Sequence, residues 1–195
     1  MCGETCAESE VHQDECSVLE RVQFEAEVGD LQAGTDDHYA MVLPLRCIAL
    51  RERDPAAWAL LQGLESHCSQ RREADPASWE FHTEHSVQFV REMCELEAEW
   101  TEEELHRLLG AVSVNSLALA TSPGYGEQLG LYPVFSYINH SCLSNAKPVK
   151  LSGGGVEVRA RTAIQAGQEV TVQYLQEALP TAQRRQLINR KWHFW

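Results

Sequence analysis

The sequence predicts an α+β fold in which a helical middle part is followed by short β-strands. Apolar residues recur at helical spacing between residues 55 and 112, and apolar and polar residues alternate between residues 156 and 159. Glycine-containing turns separate the later segments. Closely spaced cysteines and a histidine stand before both parts, so we also expect a small metal-binding module near the N-terminus.

The first predicted helix begins at an Asp-Pro pair. Asp54 is a suitable N-cap, and Pro55 suits the first helical position because its missing N–H would have no partner there. Apolar residues then follow at helical spacing: Ala57, Leu61 and Leu64.

Two further helices are predicted after a second Asp-Pro pair, Asp75-Pro76. One has an apolar face formed by Val87, Val90 and Cys94. The other begins with Thr101 and Glu104, which form a capping-box pattern. Its apolar residues are Leu105, Leu108, Leu109 and Val112. The middle third is therefore expected to be helical.

The strands are predicted after a turn at Ser122-Pro123-Gly124. Segments 147–151 and 156–162 flank a Ser-Gly-Gly-Gly turn, which predicts a hairpin. Another strand is expected in "EVTVQY", where Val170, Val172 and Tyr174 would share one face. A short helix is expected to start at Pro180.

Composition limits the classes of function. The chain has 195 residues, 44% of them hydrophobic, and a formal net charge of −13. This charge opposes binding to nucleic-acid phosphates and favours a basic partner such as a lysine-rich protein tail. No apolar run is long enough for a membrane span and no secretory signal is evident, so an intracellular protein is expected, without disulfides among its seven cysteines.

The N-terminal segment carries candidate zinc ligands. Two pairs, Cys2 with Cys6 and His12 with Cys16, are each separated by three residues. Thiolates and imidazoles are ligands that zinc selects, and such pairs can reach one ion from a turn or a helix. The alternative is a set of scattered, solvated side chains, and spacing alone leaves both open.

The stretch "SYINHSCLSNA" places Asn139, His140 and Cys142 within four residues. Three interpretations are a Cys–His catalytic pair, part of a metal site, or a polar loop without chemistry. The catalytic pair is disfavoured, since residues two apart have no general reason to bring Nε2 against sulfur and no third orienting group is evident.

Several motifs together resemble a known family. "NHSCLSN" followed by "GQEVTVQY" looks like the C-terminal half of a SET domain, and "CGETCAESEVHQDEC" resembles the second half of a MYND zinc module. With "VNSLAL" and "GLYPVFSYINHSC" in this order, the chain is similar to the SMYD family of SET and MYND proteins, and the SmydA-type branch is the expected subgroup. The resemblance implies a SET-domain β-fold with a helical insert and a partial MYND module.

The resemblance also implies site residues. Tyr174 matches the active-site tyrosine of the family. Residues that match S-adenosylmethionine contacts are Asn139, His140, Ser136, Ile138 and Asn115, and more loosely the aromatic Trp192 and Phe194. A neutral lysine amine attacks the cofactor's methyl group in line in such enzymes, so alignment in a narrow aromatic channel is the main requirement.

The resemblance implies zinc as well. Cys2 and Cys6 would belong to one MYND zinc ion, and His12 and Cys16 to the other. Cys142 matches a thiolate that joins three post-SET cysteines, expected beyond the present sequence. The missing ligand pairs and the early cofactor loop are expected upstream, so the chain is interpreted as partial. Within the motif, Ser144 replaces a usual proline, which is expected to loosen the loop.

The expected organisation has four parts: a partial MYND-type zinc finger (1–16), a helical linker and insert (17–121), the C-terminal half of a SET domain (122–179) and the start of a post-SET region (180–195). The leading function is protein-lysine N-methylation with S-adenosylmethionine, acting on a lysine-bearing protein such as a histone tail, in the nucleus or cytoplasm. Alternatives are a non-catalytic SET/MYND adaptor that binds proteins, such as a transcriptional co-regulator, and a structural protein that binds only zinc.

Overall fold

The structure, a computed structural model, describes residues 8, 12–13, 41–122, 126–151, 154–175 and 179–194. Between residues 41 and 194 it has seven α-helices: α1 Val42–Arg53, α2 Pro55–Gln62, α3 Cys68–Ala74, α4 Pro76–His82, α5 Glu102–Asn115, α6 Pro133–Ser136 and α7 Thr181–Trp192. Two π-helical segments, Thr83–Val87 and Phe89–Met93, follow α4. The strands are β1 Leu117–Ser122, β2 Gly126–Gly130, β3 Asn139–His140, β4 Ala146–Lys150, β5 Val156–Ala160 and β6 Thr171–Val172.

The predicted helix starts are confirmed by their capping bonds. The Asp54 side chain accepts a hydrogen bond from the backbone N–H of Ala57 at 3.0 Å, and Pro55 is the first residue of α2. At the start of α5 both halves of the capping box are present between Thr101 and Glu104. Each cap satisfies an N–H group that the helix cannot pair internally.

The main hydrophobic core lies among the helices. Val87, Val90 and Cys94 are fully buried, so their predicted common face is confirmed, although the backbone there is π-helical and not α-helical. They pack in a cluster with residues of α1, α2 and α5. Trp100 belongs to the same cluster, and its ring meets that of Trp58 edge to face at 5.6 Å.

The strands pair in three two-stranded sheets: β1 with β2, β4 with β5, and β3 with β6. The predicted β4–β5 hairpin is confirmed, with Ala146 opposite Ala160 and Lys150 opposite Val156. Residues 117–121 are a strand and not part of a helix, so the helical expectation for that end of the insert is wrong. Pairing with β2 determines this conformation, although leucine and alanine favour helices.

The strand predicted in "EVTVQY" is reduced to Thr171–Val172, which pairs in parallel with β3. Val172 is buried and Tyr174 is partly buried, whereas Val170 is 40% exposed, so the predicted common face holds only for the last two. Helix α7 begins at Thr181 with Pro180 as its N-cap, as predicted. In the part of the chain that the structure describes, none of the helices has the length and apolar character that crossing a membrane requires.

Candidate active site

The segment around Asn139 lies beside a segment about 30 residues later in the chain. Asn139 is opposite Thr171 and His140 is opposite Val172 in the parallel β3–β6 pair. Just beyond the pair, the N–H of Ser141 donates to the Val172 carbonyl at 2.9 Å. The candidate site is therefore built where these two short strands run side by side.

Asn145 joins the same two segments through its side chain. Its Nδ2 donates to the Glu169 carbonyl at 2.8 Å, and its Oδ1 accepts from the Thr171 N–H at 2.9 Å. The residue is buried, so both ends of its amide are satisfied by backbone groups away from water. Neighbouring Ser144 is also buried, and its hydroxyl accepts from Arg161 at 3.3 Å. At Ser144, where proline was the usual residue, a side-chain contact therefore connects the loop to Arg161.

Tyr174 lies two residues after β6 and bonds to the residue before β3. Its hydroxyl donates to the Ile138 carbonyl at 2.9 Å, which fixes the direction of the ring. Burial raises the pKa of the phenol above its ordinary value. The hydroxyl therefore stays protonated near neutral pH. Because its proton is already donated, its oxygen can only accept a hydrogen bond from another group.

His140 is held from both sides of its ring. Its Nδ1 accepts from the backbone N–H of Tyr174 at 3.0 Å, and its Nε2 lies 3.3 Å from the sulfur of Cys142. Burial, with the nearby charge of Arg184, lowers the pKa of His140. In the neutral ring an accepting Nδ1 leaves the proton on Nε2, which then points at the sulfur.

This geometry corrects one step of the sequence argument. The expectation that residues two apart would not bring Nε2 against sulfur is wrong, because β3 ends at His140 and the chain turns back at Cys142. The conclusion against a catalytic Cys–His pair rests instead on the tautomer: an Nε2 that already carries a proton cannot accept one from the thiol.

A cavity of about 500 Å3 lies next to Tyr174. Its wall includes five of the predicted site residues: Asn115, Ser136, Ile138, Tyr174 and Trp192. The side chains of Asn139 and His140 do not line it; Asn139 is exposed and donates to Glu169 at 2.7 Å. Phe194 lies outside the wall as well, with its ring centroid 6.5 Å from that of Tyr174.

Helix α7 brings an aromatic ring to the cavity. The indole N–H of Trp192 donates to the Val114 carbonyl at 3.0 Å, which joins the end of α7 to the end of α5. The ring centroids of Trp192 and Tyr174 are 4.9 Å apart. Two aromatic rings thus stand together on the wall, and the Lys191 Nζ already lies 4.8 Å from the centroid of the Trp192 ring, a cation–π contact.

The polar groups of Asn115 and Ser136 are oriented by the backbone. Both amide protons of Asn115 are donated, to the Glu65 carbonyl at 2.9 Å and to the Ala111 carbonyl at 2.8 Å. The Ser136 hydroxyl donates to a backbone carbonyl, with that of Tyr132 at 3.1 Å and that of Asn115 at 3.4 Å. Each side chain is therefore left with oxygen lone pairs, so both are hydrogen-bond acceptors for whatever enters the cavity.

The predicted zinc ligands are not assembled in the described residues. Cys2, Cys6 and Cys16 lie outside them, and only His12 of the N-terminal group lies within. Where the structure describes the chain, no group of three or more His, Cys, Asp or Glu side chains could hold a metal ion. Cys142 is exposed and has His140 as its one neighbouring candidate ligand there. The zinc sites therefore stay a prediction.

Sequence reasoning missed several residues of the cavity wall. Lys150 of β4, Lys191 of α7 and Gln173 beside the tyrosine all line it, with Phe135. Lys150 lies in a predicted strand and Lys191 in a basic run. A lysine in either kind of segment is ordinarily interpreted as a charge exposed to solvent. β4 packs beside β6, and the end of α7 contacts α5 and the Tyr174 ring. This packing places the residues on one wall, and no local pattern signals it.

The chain matches a known family and known proteins in sequence. The model of the SET domain family matches residues 7–175. The histone-lysine N-methyltransferase SMYD3 of Mus musculus is 31% identical over 91 residues, 47% of this chain and 21% of that protein. The N-lysine methyltransferase SMYD2-B of Danio rerio is 27% identical over 150 residues, 76% of this chain and 34% of that protein. The chain thus spans about a fifth to a third of these relatives.

Proposed function

Because this chain belongs to the SET-domain family and is similar to its SMYD members, we propose that it is part of an S-adenosylmethionine-dependent protein-lysine N-methyltransferase. The cavity beside Tyr174 would hold both the cofactor and the reacting lysine. The observation that carries this proposal is the convergence of five predicted site residues, from α5, α6, the residue before β3, the residues after β6 and α7, on one cavity of about 500 Å3.

The donor and acceptor groups on the wall fit the cofactor. Its amino-acid end is a zwitterion. Asn115 and Ser136 present acceptors that suit an ammonium group, and Lys150 presents a cation that suits a carboxylate. The ring of Tyr174 suits a sulfonium charge, whereas the Trp192 ring already has the Lys191 Nζ 4.8 Å from its centroid. S-adenosylmethionine supplies, when bound, an activated methyl group for transfer.

Tyr174 would position the lysine. Its hydroxyl proton is donated to Ile138, so its oxygen is left to accept from an entering amine. The raised pKa of the phenol excludes it as a base near neutral pH. No carboxylate or imidazole lines the cavity among the described residues. The lysine would therefore lose its proton to water before transfer, a loss that removal from water favours.

A lysine in a basic protein segment is the substrate class that the charge favours. The chain carries 29 acidic and 16 basic residues outside histidine, so its field attracts a cationic peptide. A histone tail is one such segment. The electrostatic field of the chain affects how readily chain and peptide meet. The choice of lysine depends instead on contacts at the mouth of the cavity.

The test of the catalytic assignment is Tyr174→Phe in the full-length protein with zinc supplied. Removing the hydroxyl is expected to lower kcat for methyl transfer to a lysine peptide about a hundredfold, because the amine loses its alignment, while cofactor affinity stays nearly unchanged. Rates come from transfer of labelled methyl groups under saturating cofactor.

The matched control is Tyr137→Phe. Tyr137 also donates its hydroxyl proton to a backbone carbonyl, that of Leu60 at 3.0 Å, but it does not line the cavity. Its kcat is expected to stay within about twofold of the wild type. Equal kcat in Tyr174→Phe and the wild type would remove Tyr174 from the mechanism. Absence of any cofactor binding by the full-length protein would favour the adaptor alternative.

A further inference from the structure

A second cavity, of about 300 Å3, lies where α3 and α4 face the C-terminal end of α7. We call it the basic pocket, because its wall includes Arg71, His82, Arg190 and His193, together with Asn189 and Ser78. It shares no lining residue with the cavity beside Tyr174. The proposed methyl transfer therefore does not account for it.

The charge of the basic pocket is opposite to that of the whole chain. The chain has a formal net charge of −13, yet two guanidinium groups and two imidazoles meet here. Among the described residues the wall has one carboxylate, Asp75, and its Oδ1 already accepts from the Ser78 N–H as the N-cap of α4. Among the described residues no ion pair joins Asp75 to Arg71 or Arg190. Neither Arg71 nor Arg190 therefore has a carboxylate partner in the part of the chain that the structure describes.

Arg71 is the most constrained of these groups. Its Nη1 is buried and has no hydrogen-bond partner in the part of the chain that the structure describes. It can lie against α5 because Gly110 has no side chain: a Cβ there would come within 2.8 Å of that nitrogen. Burial lowers the pKa of Arg71, which reflects the cost of a charge removed from water. The Arg71 side chain therefore extends from the wall of the pocket to α5, which holds it in place.

The C-terminal end of α7 supplies the remaining donors. His193 follows the helix in the left-handed conformation, φ 54°, and its ring lies 5.0 Å from that of His67. Arg190 is exposed in the last turn, one turn from this histidine. Donors from α3, α4 and α7 thus converge from two parts of the fold.

We propose that the basic pocket binds a phosphate group. Two guanidinium groups, the His193 imidazole and the Asn189 amide offer more donors than a carboxylate can accept, whereas a phosphate monoester presents three terminal oxygens to them. A bound phosphate would bridge α3 and α4 to the end of α7. Free phosphate and a phosphorylated side chain share this chemistry, and the experiment separates them.

The experiment is a titration of the full-length protein with inorganic phosphate at constant ionic strength, set with chloride. The probe is the NMR signal of the Trp79 indole N–H, since Trp79 lines the pocket; Trp79→Phe identifies the signal. A saturable shift is expected. Arg190→Gln is expected to weaken binding at least about tenfold, because a charge-assisted hydrogen bond is lost.

The matched control is Arg185→Gln, an exposed arginine of the same helix that does not line the pocket; its affinity should stay within about twofold. His193→Asn is the second variant, since asparagine tolerates the left-handed conformation, and it is also expected to bind more weakly.

Tighter binding of a phosphoserine peptide than of phosphate indicates a phosphoprotein partner, and the reverse indicates free phosphate. A non-saturating shift, equal loss in Arg185→Gln, or equally tight binding of acetate would overturn the proposal.

Discussion

The helical region, residues 41–116, and the strand region, residues 117–194, are stabilised in different ways. All thirteen residues of the main buried cluster lie in the helical region. In the strand region the buried hydrophobic residues among those described are Ala146, Val172 and Ile188. Burial of apolar surface is therefore the main stabilising contribution in one region and a small one in the other.

The strand region relies on hydrogen bonds between side chains and backbone. Asn145, His140 and Tyr174 each bond to backbone groups of a neighbouring segment. Two of these three residues are predicted site residues. The geometry of the candidate site thus depends on polar contacts near a solvent-accessible cavity, while the helices provide the stability on which it rests.

The largest expected effect is a loss of stability in the helical core. Leu105 is 1% exposed, so Leu105→Ala should lower the free energy of unfolding by about 2–5 kcal/mol through lost burial and the cavity that remains. The matched control is Leu60→Ala, because Leu60 is 40% exposed and should lose about 1 kcal/mol or less. Urea unfolding measures both. Equal losses would contradict the location of the core.

A smaller effect is expected in the strand region. Asn145→Ala removes the two side-chain hydrogen bonds from Asn145 to the backbone of Glu169 and Thr171, and should cost about 1–3 kcal/mol because buried backbone groups lose their partners. Asn139→Ala loses one exposed side-chain bond and should change stability by about 0.5 kcal/mol or less. Thermal unfolding distinguishes the two. If both variants were equally stable, the polar contacts of Asn145 would not be what holds this region.

The smallest effect concerns pH. His106 is buried against Trp79, and burial, partly opposed by Glu102, lowers its pKa in the folded protein. As pH falls through the unfolded value of about 6.5, the unfolded chain binds a proton that the folded chain does not, so stability falls. It should level off below the folded pKa.

Urea unfolding at about pH 7.5 and about pH 5.5 measures this loss. His106→Gln should show a smaller loss than the wild type, whereas Gln70→Ala, an exposed change without a titratable group, should show the same loss. A steeper loss of stability in His106→Gln than in the wild type would contradict this prediction, because His106 would then stabilise the folded protein as pH falls.

Local signals predicted much of the fold. Three features follow from residues close together in the chain: the cap at Asp54, the capping box at Thr101 and the β4–β5 hairpin. Local hydrogen bonds and turn geometry determine each of them. The β1–β2 hairpin was missed because Leu117–Ser122 has a helix-favouring composition, and its strand conformation depends on a partner segment.

The candidate site was predictable in part. Motif order pointed to Asn115, Ser136, Ile138, Tyr174 and Trp192, which meet on one wall. The contact between His140 and Cys142, and the places of Lys150 and Lys191, depend on how β3, β4 and α7 pack. No local pattern encodes such packing, so these features required the structure.

The most direct test of the central claim is a calorimetric titration of the full-length, zinc-supplied protein with S-adenosylmethionine. The wild type should bind, and Asn115→Ala should bind about tenfold more weakly, because the acceptor for the ammonium group is lost. Gln70→Ala, an exposed change on α3, is the control and should bind like the wild type. No binding by the wild type, or equal affinity in Asn115→Ala with its fold intact, would contradict the assignment of this cavity.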